Sequence, residues 1–382
     1  MNVFLKEKNQ RKVLSLIRTE KVISAANISK VVGLQPSTVH YIIQFLTSEG
    51  FVKISKTGNS TVNGGKPPTL LQLNETYGYI IGVELICNIN RLVCVDFSGN
   101  ILYSEELQTE LVGEEYINSF ITFLNSFIFK NSIDKRKLIG VCIAVSGIVG
   151  REGKDVVYSR MLKLQQYPLA VKIENAINVN VYVGNDANIG AIGYAMSSQV
   201  FGKYENFNYL TFNHDSENYG LGIVLHGQLY TGTYGMAGEI IDSLPSILQL
   251  LGEGIARYGN NHRIVQQYAS LDYITLKDVM KEYEYNCPVS AYIIEQYSEK
   301  LSYHLVRLMA LLNPEVFVVG GDIAEIKLLF DRFIWPKYIA KCKSLFPDFV
   351  QIPSVEFANQ GKLSVAYGAT TYIFHQLFNE FI

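Results

Sequence analysis

An apolar run over residues 179–183 stops abruptly in Gly184-Asn185-Asp186-Ala187-Asn188. A strand that ends in two amides and a carboxylate, with small residues after it, restricts this part of the chain to a strand-turn-helix unit. The polar corner of such a unit tends to line a cleft. Asn185 and Asp186 together offer donors and acceptors to a polyol, and Asp186 is also of the type that takes a proton from a hydroxyl. The same residues equally make an Asx turn or the N-cap of a helix over 187–195.

A chain of 382 residues is too long for one ordinary core, which implies two or three domains. With 48% apolar and 18% charged residues it is globular rather than disordered. The net charge of −2 hides an uneven distribution: residues 1–75 carry ten Lys/Arg against four Asp/Glu. A basic module on an acidic body suits a nucleic-acid binder. Cys87, Cys94, Cys142, Cys287 and Cys342 are scattered without a CxxC or CxC, which argues against a zinc knuckle or a disulfide framework. Neither a secretory pattern nor an apolar run of membrane length is present, so the expected location is the cytoplasm, with no membrane partner.

The basic segment has an internal order. Residues 10–17 place Val13, Leu14, Leu16 and Ile17 at helical spacing. Residues 23–34 read as a short helix ended by Gly33. A second helix follows with Pro36 in its first turn, where a missing N–H costs nothing. Its core stripe is Val39, Ile42, Ile43 and Leu46, and its other face shows Ser37, Thr38, His40, Tyr41 and Gln44. Two helices across a Gly turn, the second polar-faced, form a helix-turn-helix whose second helix meets base edges. Residues 50–56 and 69–73 are strands of a β-hairpin wing with Asn63-Gly64-Gly65-Lys66-Pro67 at its tip. The candidate DNA contacts are Gln35, Ser37, Thr38, His40 and Tyr41 for bases, and Lys53, Lys56 and Lys66 for phosphates. The expected domain is a winged helix-turn-helix over 1–74 that takes operator DNA; a helical protein-interaction module is the alternative.

Beyond residue 75, strands are expected at 79–85, 90–97, 101–107 and 138–145, the last ending at Ser146-Gly147. A second strand set covers 209–213, 220–227 and 316–319, with helices at 116–129, 245–258, 276–283, 288–312 and 363–378. Alternation of this kind gives an α/β class. Several short motifs then occur in order: Ser146-Gly147, Gly184-Asn185-Asp186-Ala187-Asn188, Gly235-Met236-Ala237-Gly238-Glu239, Asn313-Pro314-Glu315, Val319-Gly320-Gly321 and Gly368-Ala369. Behind a winged helix and three strands, this order resembles the ROK family of sugar kinases and sugar-responsive repressors, on its repressor side.

The resemblance runs from about residue 10 to the C-terminus. It implies a two-lobed, actin-like (ribonuclease H-like) sugar-kinase fold over 75–382, with a smaller lobe at about 75–186 plus 365–382 and a larger one at about 187–364. It also implies sugar binding between the lobes, and a homodimer or homotetramer. On this resemblance Ser146, Gly147, Asn185, Asp186, Glu239 and Asp242 are the candidate sugar contacts.

The kinase features depart from the family's pattern. Glu84-Leu85-Ile86-Cys87-Asn88 stands where kinases of the family carry an Asp-x-Gly-x-Thr phosphate turn, and Ile86 puts a branched side chain where Gly admits phosphate. Ser216-Glu217-Asn218 stands in place of Gly-Thr-Gly, where Glu217 would repel ATP. The family's Glu-x-Gly-His zinc motif reads Glu239-Ile240-Ile241-Asp242, and its cysteine loop is absent. The expectation is therefore a regulator with no enzyme activity, no metal and no cofactor, probed by a neutral or amino sugar. Its rivals are a ROK sugar kinase with a fused DNA module, and a regulator whose body serves only dimerisation or partner docking.

Overall fold

The computed structural model describes residues 8–57, 68–86, 88–197, 202–212, 219–240, 244–268, 274–322 and 327–378. The chain divides into two compact units, Met1–Lys203 with Ala366–Ile382, and Tyr204–Val365.

The N-terminal module begins with α1 (Lys8–Glu20), which buries Gln10, Val13, Leu14 and Ile17. Ile23 and Ser24 form a short strand, β1, rather than the first turn of the next helix. They pair with Leu71 and Leu70, because Ser24 in extended conformation caps α2 (Ala25–Val32) by accepting from the Asn27 N–H. Gly33 closes that helix at φ 71°, a left-handed position where a Cβ is unfavourable. Helix α3 (Pro36–Ser48) buries Val39, Ile42 and Leu46, while Ile43 and, on α1, Leu16 are half-buried. β2 (Val52–Thr57) and β3 (Thr69–Leu73) pair antiparallel and give the three-stranded order β1-β3-β2.

The rest of the first unit is built on a five-stranded sheet of order β11-β7-β4-β5-β6. β4 (Tyr79–Ile86), β5 (Ile89–Asp96) and β6 (Ile101–Gln108) form an antiparallel meander. Helix α4 (Gly113–Lys130) packs Tyr116, Phe120, Leu124 and Phe127 into the core under this sheet. β7 (Leu138–Val145) runs parallel to β4. β8 (Ile148–Val149), β9 (Val156–Ser159) and β10 (Leu164–Tyr167) make a small separate sheet, and α5 (Leu169–Ile177) follows. β11 (Val181–Asn185) is parallel to β7 and leads directly into α6 (Asp186–Ala195). Eight of the ten α6 residues are buried, so this helix lies inside the unit rather than on its surface.

The second unit holds a sheet of order β14-β13-β12-β15-β16. Its strands are β12 (Phe207–Phe212), β13 (Tyr219–Leu225), β14 (Gln228–Leu229), β15 (Val316–Gly321) and β16 (Ser354–Phe357). The helices α7 (Ile247–Tyr258), α8 (Arg263–Tyr268), α9 (Leu276–Tyr283) and α10 (Pro288–Leu312) share one apolar core with it. After β15 come α11 (Lys327–Leu329), a π-helical turn over Phe330–Ile334 and α12 (Trp335–Leu345). The last helix, α13 (Ser364–Phe378), passes from the second unit back into the first.

Candidate functional site

The register of the first sheet builds the site. Leu85 of β4 lies beside Val145 of β7, and Val145 lies beside Asn185 of β11. Three parallel strands therefore stop in one row, and the turns that leave them share one edge. Ligands of open α/β sheets bind beyond such carboxyl ends.

Ser146 and Gly147 leave β7. Gly147 has φ 132°, and a Cβ there would lie 2.4 Å from the Tyr158 carbonyl oxygen, so only glycine fits against β9. The Ser159 hydroxyl, fully buried, donates to the Ser146 carbonyl at 2.6 Å and accepts from the Leu162 N–H. Sequence reasoning had no signal for Ser159, whose role depends on a turn thirteen residues away being folded against it. The Ser146 hydroxyl points toward the Met161 sulfur at 3.5 Å.

Asn185 joins this turn to the next. Its Nδ2 donates to the Gly147 carbonyl at 3.1 Å, and its Oδ1 accepts from the Asn188 N–H at 3.0 Å. Asn185 is thus the N-cap of α6, and both ends of its amide hold the backbone. Asp186 is 4% exposed and stands in the first turn of α6, where the helix dipole favours a carboxylate. Its Oδ1 accepts from the Ala187 N–H at 2.8 Å. The structure brings Ser146, Gly147, Asn185 and Asp186 together on one sheet edge.

Glu239 belongs to the second unit. Gly238 before it has φ 93°, and a Cβ there would fall 1.9 Å from the Leu221 carbonyl oxygen, which fixes the turn against β13. The Glu239 side chain keeps access to solvent, but the protein packed around its carboxyl desolvates the charge and raises its pKa. Asp242 lies outside the described residues, as do Cys87, Lys66 and the segment 216–218. Among the described residues no group of three or more His, Cys, Asp or Glu side chains is disposed to hold a metal ion. No helix is long and apolar enough to cross a membrane among them.

In the N-terminal module, Gln35, Ser37, Thr38, His40 and Tyr41 are all exposed, Tyr41 at 67%. Lys53 forms an ion pair with Glu75, whose carboxyl it holds below the ordinary value through a side-chain hydrogen bond. Its ammonium is therefore shared with the body side of the wing. The side chain of Lys56 lies outside the described residues.

A ROK family sequence profile matches residues 80–241 and 250–373. The chain belongs to the ROK family. A second profile, described as winged helix-turn-helix DNA-binding, matches residues 6–53. Among curated relatives, the xylose repressor of Caldicellulosiruptor bescii is 26% identical over 353 residues, covering 86% of each chain. Among solved structures, a ROK family transcriptional regulator described as a homologue of the E. coli MLC protein superposes with a TM-score of 0.74 at 18% identity, covering 98% of both chains. A ROK family glucokinase from Streptomyces griseus, in complex with glucose and AMPPNP, gives a TM-score of 0.66 at 20% identity. It covers 77% of this chain and 98% of its own. At such identities these two speak to the fold, and the fold is that of the ROK repressors and sugar kinases: actin-like, behind a winged helix-turn-helix.

Near the end of β4, Glu84 is 1% exposed and paired with the fully buried Arg91, Nη1 to Oε2 at 3.1 Å. Arg91 also lies 3.5 Å from Glu106 through Nε. Ile86 is buried and pairs directly with Ile89 across the β4–β5 hairpin. Gly320 and Gly321, at the end of β15, close on Tyr209 and Phe212. A Cβ on Gly320 would lie 1.9 Å from the Tyr209 hydroxyl, which itself bonds Ser364 at 2.9 Å.

Proposed function

We propose that this ROK protein is a sugar-responsive DNA-binding repressor whose effector is a neutral sugar held by Asp186. The observation that carries the reading is the union of two parts in one compact unit: a helix-turn-helix with an exposed polar helix, and the sheet edge bearing the Asp186 turn. Asp186 is a buried acceptor at a helix N-terminus, suited to taking hydrogen bonds from hydroxyls. The name of the C. bescii relative makes an aldopentose, D-xylose, the first effector to test.

Asn185 acts in this proposal as the residue that positions Asp186 and the Ser146-Gly147 turn. Glu239 and Asp242 remain proposed sugar contacts, each to be tested by its own alanine variant. The body performs no phosphoryl transfer. This is supported by the carboxylate and guanidinium that neutralise each other at the first phosphate turn, and by the branched Ile86 where phosphate needs open backbone. The functional assembly is a homodimer or homotetramer, since paired half-sites require paired recognition helices.

Calorimetry of the full chain against D-xylose, D-glucose and N-acetyl-D-glucosamine tests the reading, with Asp186→Ala alongside. Heat from one sugar, lost in the variant, is the expected result. Silence from all three with intact DNA binding would favour the body as a docking platform, and sugar-dependent ATP hydrolysis would restore the kinase. For DNA, affinity should fall steeply with salt, and His40→Ala or Tyr41→Ala should relax base choice at a cost of about 1–3 kcal/mol per lost contact.

A further inference from the structure

We infer that Arg18 is the positioning residue through which the state of the Asp186 turn reaches the DNA-binding module. The inference rests on the sensing role just proposed and adds its route. Helix α6 starts at the candidate sugar contact and ends, ten residues on, at Met196. The carbonyl of Met196 accepts a hydrogen bond from Arg18 Nη2 at 3.3 Å. Arg18 lies in the last turn of α1, the first helix of the winged module. A rod of roughly 15 Å therefore joins the two sites, given the rise of an α-helix.

The same guanidinium is held from a second side. It sits over the ring of Phe374 on α13, 5.2 Å from the centroid. Helices α6 and α13 are locked to each other where glycines meet: a Cβ on Gly193 would come within 2.5 Å of Gly368 Cα, and one on Gly368 within 2.6 Å of the Ile189 carbonyl oxygen. No side chain fills that crossing, so a displacement of α6 is shared by α13 rather than absorbed between them. Phe374 in turn packs on Phe97, which packs on Tyr77 and on Phe51 at the base of the wing. Arg18 of the winged module thus touches both helices near their ends. A planar fork has strict geometry, so a small shift of the Met196 carbonyl breaks a bond that a flexible cation would follow.

The test uses the full chain, a DNA duplex enriched from a random library by the wild-type protein, and the three sugars above in turn. Sugar affinity is read by calorimetry, DNA affinity with and without sugar by titration, and exchange of the α1 amides by mass spectrometry. In wild type, sugar weakens DNA binding by at least about fivefold. In Arg18→Ala the sugar affinity and the sugar-free DNA affinity stay within about twofold, while that ratio falls toward one. The sugar-induced change in α1 exchange is lost as well. Arg18→Lys keeps charge and stem and guards against a fold defect, but its flexible cation follows the carbonyl, so its ratio stays well below that of wild type. A full wild-type ratio in both variants overturns the role of Arg18 and leaves the sensing reading intact. Parallel loss of both affinities with the ratio kept assigns Arg18 to structure alone and also overturns it. Absence of heat from every sugar in wild type removes the sensing reading, and this route with it.

Discussion

Strands β4, β5 and β6 form a meander that β7 and then β11 extend in parallel; strands β12, β13 and β14 form a meander that β15 and then β16 extend in the same way. The two sheets share order and strand sense, yet their parallel-strand ends are finished with different chemistry. In the first, β7 and β11 release a glycine turn and the Asn185-Asp186 corner, and β4 carries a buried ion pair. In the second, β15 ends in two glycines stopped by an aromatic hydroxyl. The scaffold sets where a ligand can approach, and the residues after each strand decide whether it finds hydrogen-bond partners or packed side chains.

The largest effect that sharpens this contrast is expected at Glu84. Glu84→Ala strands Arg91 in the interior and should destabilise the first unit by ~3–5 kcal/mol, toward the low end because Glu106 remains near. Scanning calorimetry reads it as an early transition, and Glu84→Ala with Arg91→Met should recover most of the loss. An unchanged transition would mean the pair is not part of the core. In the second sheet the matching insult is steric. Gly320→Ala should cost about 1–3 kcal/mol by overpacking. Tyr209→Phe relieves only part of it, because the ring carbon Cζ also lies 2.5 Å from the new methyl. Full relief would contradict that packing.

Asp186→Ala should lower sugar affinity by about 1–3 kcal/mol while changing stability by less than about 1 kcal/mol, the scale of a helix-dipole contact. Calorimetric binding and thermal melting separate the two, and the reverse ranking would make Asp186 a structural cap. The smallest effect is at Glu239. Its pKa is raised in the folded protein by burial, so the group costs nothing below its unfolded value and disfavours folding as pH rises through the folded value. Relative to Glu239→Gln, wild type should therefore lose stability as pH rises past the ordinary carboxylate range, by well under about 1 kcal/mol because the residue is solvent-accessible. Parallel pH profiles would remove the desolvation.

Much of this was legible before any coordinate. Helices α9 and α10 begin and end where the apolar spacing placed them, and β7 spans the expected 138–145. The polar face of α3 was readable because burial of Val39, Ile42 and Leu46 leaves the intervening residues to solvent. The short strands β8–β10 and β16 were not, since runs of two to four residues carry no period to detect. Ile23 and Ser24 were absorbed into a helix because their partners, Leu71 and Leu70, lie far along the chain.

By itself the sequence determined the family, the order of the elements and the residue types at the Asp186 corner, because these follow from local spacing and from motifs in series. Only the tertiary structure decided what each group is bonded to. Asn185 could have served a ligand or a helix end, and it is the register of β7 beside β11 that brings the Gly147 carbonyl to its amide. Arg18 reads as one more basic residue in a basic segment, and it is the packing of α6 and α13 under α1 that sets a carbonyl and an aromatic face against it. Hydrogen bonds act over about 3 Å, and no one-dimensional pattern records which distant groups come that close.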